Sequence, residues 1–120
     1  MVSMTRTTLD LPTIDSTEVM HFCDGNPGVR VALVSSISRE HGRDVLLDLA
    51  TPWHKIVHVH RTNGAERIVF PNGSMILLLT NSPMSWRGHA LDRVVVLGWG
   101  LRSDVIDAAL PCFMTHDPRG

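Results

Sequence analysis

Residues 67–97 read RIVFPNGSMILLLTNSPMSWRGHALDRVVVL. A short strand leads into Asn72-Gly73 and a second strand follows. A loop then carries Arg87-Gly88 and ends in the apolar run 93–97. Asn-Gly between alternating apolar runs signals a β-hairpin, because both residues accept positive φ. Asn63-Gly64 lies between two more such runs, 56–62 and 65–70. Two-residue turns at both places set a register. Around the first, Arg61 faces Glu66, His60 faces Arg67, Val59 faces Ile68, His58 faces Val69 and Val57 faces Phe70. Around the second, Phe70 faces Met75, Val69 faces Ile76 and Ile68 faces Leu77. One face then gathers Val57, Val59, Ile68, Phe70, Met75 and Leu77 as a core face.

Outward from this meander, residues 29–36 (VRVALVSS) are almost continuously apolar. That pattern suits a strand covered on both faces in a parallel sheet. Ser38 is placed to cap a helix running to about Ala50, with Val45, Leu46 and Leu49 as its buried stripe. Gly42 weakens that helix and Pro52 follows it. Ser16 is placed to cap a shorter helix with Val19, Met20, Phe22 and Cys23 on its apolar side, stopped by Gly25 and Asn26-Pro27-Gly28. Ser103 is placed to cap a last helix over 104–110, with Pro111 after its end. Residues 1–15 are Thr-rich, broken by Pro12, and read as a flexible arm. Residues 16–120 read as one domain.

The chain has 120 residues, enough for a sizeable core, with 43% apolar and 19% charged residues. A net charge of −1 exerts no global pull on nucleic acid or anionic lipid. The apolar runs 75–79 and 94–97 are far too short to span a bilayer, so no membrane is expected. Residues 1–15 hold no apolar signal-peptide core, and Cys23 and Cys112 make no disulfide framework. A cytoplasmic setting with reduced thiols is therefore expected.

Alternating strand and helix patterns raise the question of a nucleotide site. A phosphate-binding P-loop needs G-x-x-x-x-G-K-[ST], in which backbone amides and a lysine hold the phosphates. Lys55, the sole lysine, follows His54, and no such loop occurs. No G-x-G-x-x-G occurs either.

The order of elements from Arg67 onward nevertheless resembles the ATPase domain of phage large terminases, the DNA-packaging motor proteins. That family carries a segment of the form I-x-F-x-N-G-S-x-I, then a loop with Arg-Gly, an Asp, and an apolar strand ending in two acids. Here the match runs Ile68, Phe70, Asn72, Gly73, Ser74 and Ile76, then Arg87-Gly88, Asp92 and residues 94–97. Upstream, Asn26-Pro27-Gly28 and the strand 29–36 are similar to the segment after the family's Walker A helix. Residues 108–111 and 115–120 are similar to the family's segment beyond the two acids. The resemblance spans roughly residues 19–120. It implies an α/β fold: a small, mainly parallel P-loop-NTPase-like sheet with an antiparallel hairpin extension. It also places Arg87 and Gly88 near a nucleotide and a neighbouring subunit. A turn glycine beside a solvated arginine accounts for that pair equally well.

The departures bear on function. Where the family has its Walker B acids, this chain has Gly98, Trp99 and Gly100. Those acids hold magnesium and orient the attacking water, so their loss removes metal site and catalytic carboxylate together. The Walker A segment is replaced by the arm, and Asp92 precedes its strand rather than ending it. No catalytic residue is assigned, and neither ATP nor magnesium is expected to bind tightly. Trp86 and Trp99 flank the degenerate site and are expected to pack rather than stack on bases.

His54, His58 and His60 invite a metal reading, since His58 and His60 share a strand face. Arg67 lies opposite His60 on that face and no carboxylate joins them, so no metal site is assigned. His58, His60, Arg61 and Arg67 instead become candidate phosphate contacts. His21 and Cys23 read as a buried helix turn. Pro111-Cys112 lacks the partners of a zinc deaminase signature.

Two function classes emerge. The first is a partial terminase-like domain of a phage or prophage in a bacterial host. It would not be catalytic alone, and would act through contact with a second copy or an intact terminase subunit at an exposed sheet edge. The arm 1–15 or another subunit is expected to cover the edge beside strand 93–97. The alternative is a small nucleic-acid-binding module using the His/Arg strand face, with DNA binding weak because the chain is near neutral. A zinc hydrolase built on the histidines ranks last.

Overall fold

The computed structural model describes residues 8–62 and 64–114. Five strands, β1 (Arg30–Ser35), β2 (His58–His60), β3 (Arg67–Val69), β4 (Met75–Leu78) and β5 (Arg93–Leu97), form one sheet in the order β2-β3-β4-β1-β5. Helices α1 (Val19–Gly25) and α2 (Arg39–Ala50) precede the hairpins, and α3 (Ser103–Met114) follows β5. The α/β expectation holds, but the sheet is mixed rather than mainly parallel. β1 runs parallel to β4 and to β5, whereas β2–β3 and β3–β4 are antiparallel.

Strand alternation splits the core in two. Val31 and Leu33 of β1 face α1 and α2, packing with Val19, Cys23, Leu46, Ile68, Phe70, Ile76 and Leu78. Ala32 and Val34 face the other way, against Leu11, Trp86, Leu91 and the α3 residues Val105, Ile106, Ala109 and Cys112. Both faces of β1 are thus covered, as its unbroken apolar run requires. Among the described residues, no helix is long and apolar enough to cross a membrane.

The first hairpin has the register expected from Asn63-Gly64: His58 pairs with Val69, Val59 with Ile68 and His60 with Arg67. Asn63 lies outside the described residues. The second hairpin is shifted by one residue. Arg67 pairs with Leu77, Ile68 with Ile76 and Val69 with Met75. Its loop holds three residues, closed by Gly73 N–H to the Phe70 carbonyl (3.0 Å) and Phe70 N–H to the Ser74 carbonyl (2.9 Å). Pro71 fixes the φ that the first corner of a type I turn needs, and Gly73 takes φ +88°. A two-residue type I′ turn would need positive φ at Asn72, and among the described residues only glycines have it. The shift turns β4 over. Ile76 and Leu78, not Met75 and Leu77, join Ile68 and Phe70 in the core.

Ser38 caps α2 as expected, accepting from His41 N–H at 3.0 Å. Gly42 has a packing role there, since a Cβ on it would stand 3.0 Å from Leu78 Cδ1 and 3.5 Å from Ser35 Cβ. Ser16 does not cap α1. The helix begins at Val19, and the Asp15 carbonyl accepts from Glu18 and Val19 N–H. Ser103 already lies inside α3, and α3 continues through Pro111 instead of stopping before it. The stripe Val105, Ile106, Ala109 and Cys112 keeps its helical spacing across Pro111 and is buried throughout. Cys112 is tied on both sides: its carbonyl accepts from Leu91 N–H (2.9 Å) and its thiol lies 3.0 Å from the Trp86 carbonyl.

Residues 8–14 lie along the outer edge of β5. Thr13 bridges Val94 in parallel, Ile14 N–H donates to Val94 O (2.9 Å) and Val94 N–H donates to Pro12 O (3.1 Å). Leu11 is buried. The edge beside β5 is therefore covered by the chain's own N-terminal segment, the first of the two expected occupants. Residues 1–7 and the tail 115–120 lie outside the described residues.

Candidate functional site

Parallel strands create crevices at their carboxyl ends where consecutive connections leave on opposite faces of the sheet. β1 leads into α2 on one face. Its neighbours β4 and β5 lead into the loop 80–92 and into α3 on the other. The chain therefore has a switch point on each side of β1, although no residue of β1 itself lines the cavities near them.

The cavity beside β5 measures about 360 Å³ and is lined by Thr8, Thr13, Ile14, Asp15, Val96, Gly98, Trp99 and Gly100. Gly98 takes φ +90°, and a Cβ on it would stand 2.2 Å from Ser36 Oγ. That oxygen accepts from Trp99 N–H (3.0 Å) and donates to the Leu97 carbonyl (3.2 Å). The ends of β1 and β5 are thus clasped at the position that the sequence resemblance gives to a Walker B acid. Trp99 is 83% exposed and does not pack, contrary to expectation. Trp86 does pack: it is fully buried, and its indole N–H donates to the Thr80 carbonyl at 3.0 Å.

Arg87 and Gly88 line a different cavity of about 670 Å³ against α3, with Asp104, Asp107 and Pro111 among its walls. It shares no lining residue with the cavity at Gly98–Gly100. The fold does not bring the two terminase-like positions together in one pocket. Asp92 is at the amino end of β5, where its carboxylate accepts from Arg30 N–H at 2.9 Å.

The terminase-like residues of the second hairpin have structural work. Asn72 Nδ2 donates to the Cys23 and Asp24 carbonyls at 3.0 and 3.1 Å. Asn72 Oδ1 accepts from Ser74 N–H at 3.0 Å. Ser74 Oγ, fully buried, lies 2.8 Å from the Cys23 carbonyl. These groups satisfy carbonyls that the last turn of α1 leaves open. Ile68, Phe70 and Ile76 are core.

The candidate phosphate contacts divide between the two sides of the hairpin. His58 and His60 stack edge-to-face with ring centroids 4.5 Å apart, and Arg67 pairs with His60 across the strands. Partial loss of water contact, then the Arg67 cation and His58, push the His60 pKa below its ordinary value. Arg61 instead lines a small cavity on the α2 side with Leu47, Ala50, His54 and Val59. Period-two alternation places it there. His21 is exposed and meets Trp53 edge-on at 5.1 Å, while Cys23 is buried, so only the latter fits the buried-turn expectation. Burial, then Asp92, push the Cys23 thiol up to about 12. Burial also raises the Cys112 thiol. Among the described residues, no three His, Cys, Asp or Glu side chains converge as metal ligands.

A further crevice lies where the carboxyl end of β4 meets the amino end of β3, beside the start of α2. It measures about 550 Å³. Arg39, at the start of α2, flanks it from one face, and Arg67 and His89 from the other. Thr80, Ser82 and Ser85 add hydroxyls, and Leu77, Leu79 and Met84 add apolar surface. Beneath it Glu66 is only 2% exposed. Its carboxylate accepts from Arg39 Nη2 (2.7 and 2.8 Å) and from Gly64 N–H (3.1 Å), and Arg43 Nε lies 3.4 Å away. Asn81 Oδ1, in the adjoining loop, is buried without a hydrogen-bond partner among the described residues. Arg39, Glu66 and His89 were not singled out from sequence. A signal was present for Glu66: even numbering places it on the face of Ile68 and Phe70, where a carboxylate needs a cation. Arg39 and Arg43, four apart on α2, supply it.

No family model matches this chain, and comparison with curated proteins and with solved structures found no match.

Proposed function

We propose that this chain is a terminase-like domain of a phage or prophage packaging motor, on a P-loop-NTPase-like sheet, that does not hydrolyse ATP alone. It works in the host cytoplasm by protein contact. The observation that carries this reading is the end of β5. Gly98 combines φ +90° with a Cβ position 2.2 Å from Ser36 Oγ, so no acid fits where the motor family places its first carboxylate. Arg87, the residue that the resemblance puts beside nucleotide, opens into a separate cavity. Contact through the outer edge of β2, with a second copy or an intact terminase subunit, remains open to this domain, because β2 ends the sheet order. Isothermal calorimetry with ATP and magnesium is the test. The expected result is no tight magnesium-dependent binding and no turnover; tight binding with hydrolysis overturns the reading.

A second reading, a nucleic-acid-binding module, draws on one observation. His58, His60 and Arg67 share one face of the β2–β3 hairpin. It requires DNA affinity that falls steeply with salt. Undetectable binding at low salt ends it.

A further inference from the structure

We propose that the crevice between the amino end of β3, the carboxyl end of β4 and the start of α2 binds a small ligand bearing a phosphate or carboxylate group on an apolar body. This inference does not rest on the terminase-like reading. Three observations carry it.

The first is position. The crevice opens beside the carboxyl end of β4, between Arg39, on the connection that leaves β1 on one face, and the loop 80–92, which leaves β4 on the other. Open α/β sheets bind ligands beyond the carboxyl ends of their strands. Its volume of about 550 Å³ suits a small organic molecule.

The second is charge. Arg39 and Arg67 line the crevice from opposite faces of the sheet, joined by His89. The one carboxylate among the lining residues, Glu66, is 2% exposed and engaged by Arg39, Arg43 and the Gly64 amide. Its charge is offset locally, and its bonds hold Arg39 in place at the rim. A guanidinium carries more N–H donors than Glu66 takes, so Arg39 keeps donors for an oxyanion. The lining is thus net cationic.

The third is the mixture of surfaces. Hydroxyls of Thr80, Ser82 and Ser85 stand beside apolar Leu77, Leu79 and Met84. A few convergent polar groups on an apolar floor characterise small-molecule sites rather than a solvated salt bridge. Inorganic phosphate would satisfy the cations but leave the floor uncovered. An oxyanion with an attached ring or chain covers both.

The test is a titration of the isotope-labelled protein, followed by amide NMR, with phenyl phosphate, benzoate, inorganic phosphate and neutral benzyl alcohol at millimolar concentrations. The expected result is saturable shifts at Arg67, Thr80, Ser85 and His89 with phenyl phosphate or benzoate. Whichever of the two binds tighter names the head group. Inorganic phosphate is expected to bind more weakly. Arg67→Gln and, separately, His89→Asn leave the Glu66 cluster intact. Arg67→Gln is expected to weaken binding about tenfold, the loss of one charge-assisted hydrogen bond. The proposal is overturned if neither aromatic anion shifts these residues. It is also overturned if benzyl alcohol binds as well as the anions, or if Arg67→Gln leaves affinity unchanged in a folded protein.

Discussion

Asn72 donates its side-chain amide to the Cys23 carbonyl at 3.0 Å, joining the second hairpin to the last turn of α1. The same amide serves Asp24 O, and its oxygen holds Ser74 N–H, so one side chain closes the loop and caps the helix. Asn72→Ala removes this partner from Asp24 O and Ser74 N–H, while Cys23 O keeps Ser74 Oγ. It is expected to cost about 2 kcal/mol, measured by urea unfolding with an unchanged m value. A loss within error of zero would show that water replaces the amide.

Glu66 anchors α2 to the start of β3. Glu66→Ala leaves Arg39 and Arg43 facing each other without the carboxylate and opens space beneath the β3/β4 crevice. Both arginines reach solvent, so the expected loss is about 2 kcal/mol rather than that of a fully buried pair. A double-mutant cycle with Arg39→Ala should show coupling of about 1 kcal/mol or more. Additivity would mean that the pair is ornamental.

The clasp at Gly98 predicts that an acid is not accommodated at this position. Gly98→Asp forces a side chain into φ +90° and against Ser36 Oγ. It is expected to destabilise by about 2 kcal/mol, seen as a lower thermal midpoint. No magnesium-dependent stabilisation should appear.

Cys23 and Cys112 are both buried. With the Cys23 thiol held up at about 12, the folded protein should react with Ellman's reagent at mildly alkaline pH only as fast as it opens, and promptly in denaturant. The unfolded thiol, near 9.0, ionises first. The stabilising difference is therefore full below about pH 9 and is lost as pH rises toward about 12. Cys23→Ala should flatten the alkaline limb of stability against pH.

His60 should titrate below its ordinary value, 6.5, in a proton NMR titration, and Arg67→Gln should raise it by removing the facing cation. Because the folded state binds this proton less readily than the unfolded chain, acidification from above 6.5 down through the folded pKa lowers stability. Arg67→Gln, which removes one of the three causes of the shift, would shrink that acid-side loss without abolishing it.

Much of the architecture follows from local chemistry. The apolar run of β1 marks a strand buried on both faces, Ser38 places the start of α2, and β5 appears with the ends expected for it. Asn63-Gly64 sets the first register because a turn of fixed length leaves the flanking pairs no choice. Even Glu66 was legible by parity, as a carboxylate on an apolar face. The second register was not. Pro71 selects a three-residue loop, and the carbonyls ending α1, 48 and 49 residues away in sequence, hold Asn72. One residue of shift exchanges the β4 side chains between two cores. Likewise Pro111 signals a helix end locally, yet packing of Ala109 and Cys112 beneath Trp86 carries α3 through it. The crevices are further still from local pattern. They form where the ends of β3, β4 and β5 meet segments far away in the chain, Arg39 and the loop 80–92 in one case and residues 8–15 in the other. Periodicity and turn chemistry act between near neighbours in the chain, so they fix elements and single hairpins. Which strand ends meet, and which charges face each other across them, depends on contacts between distant segments.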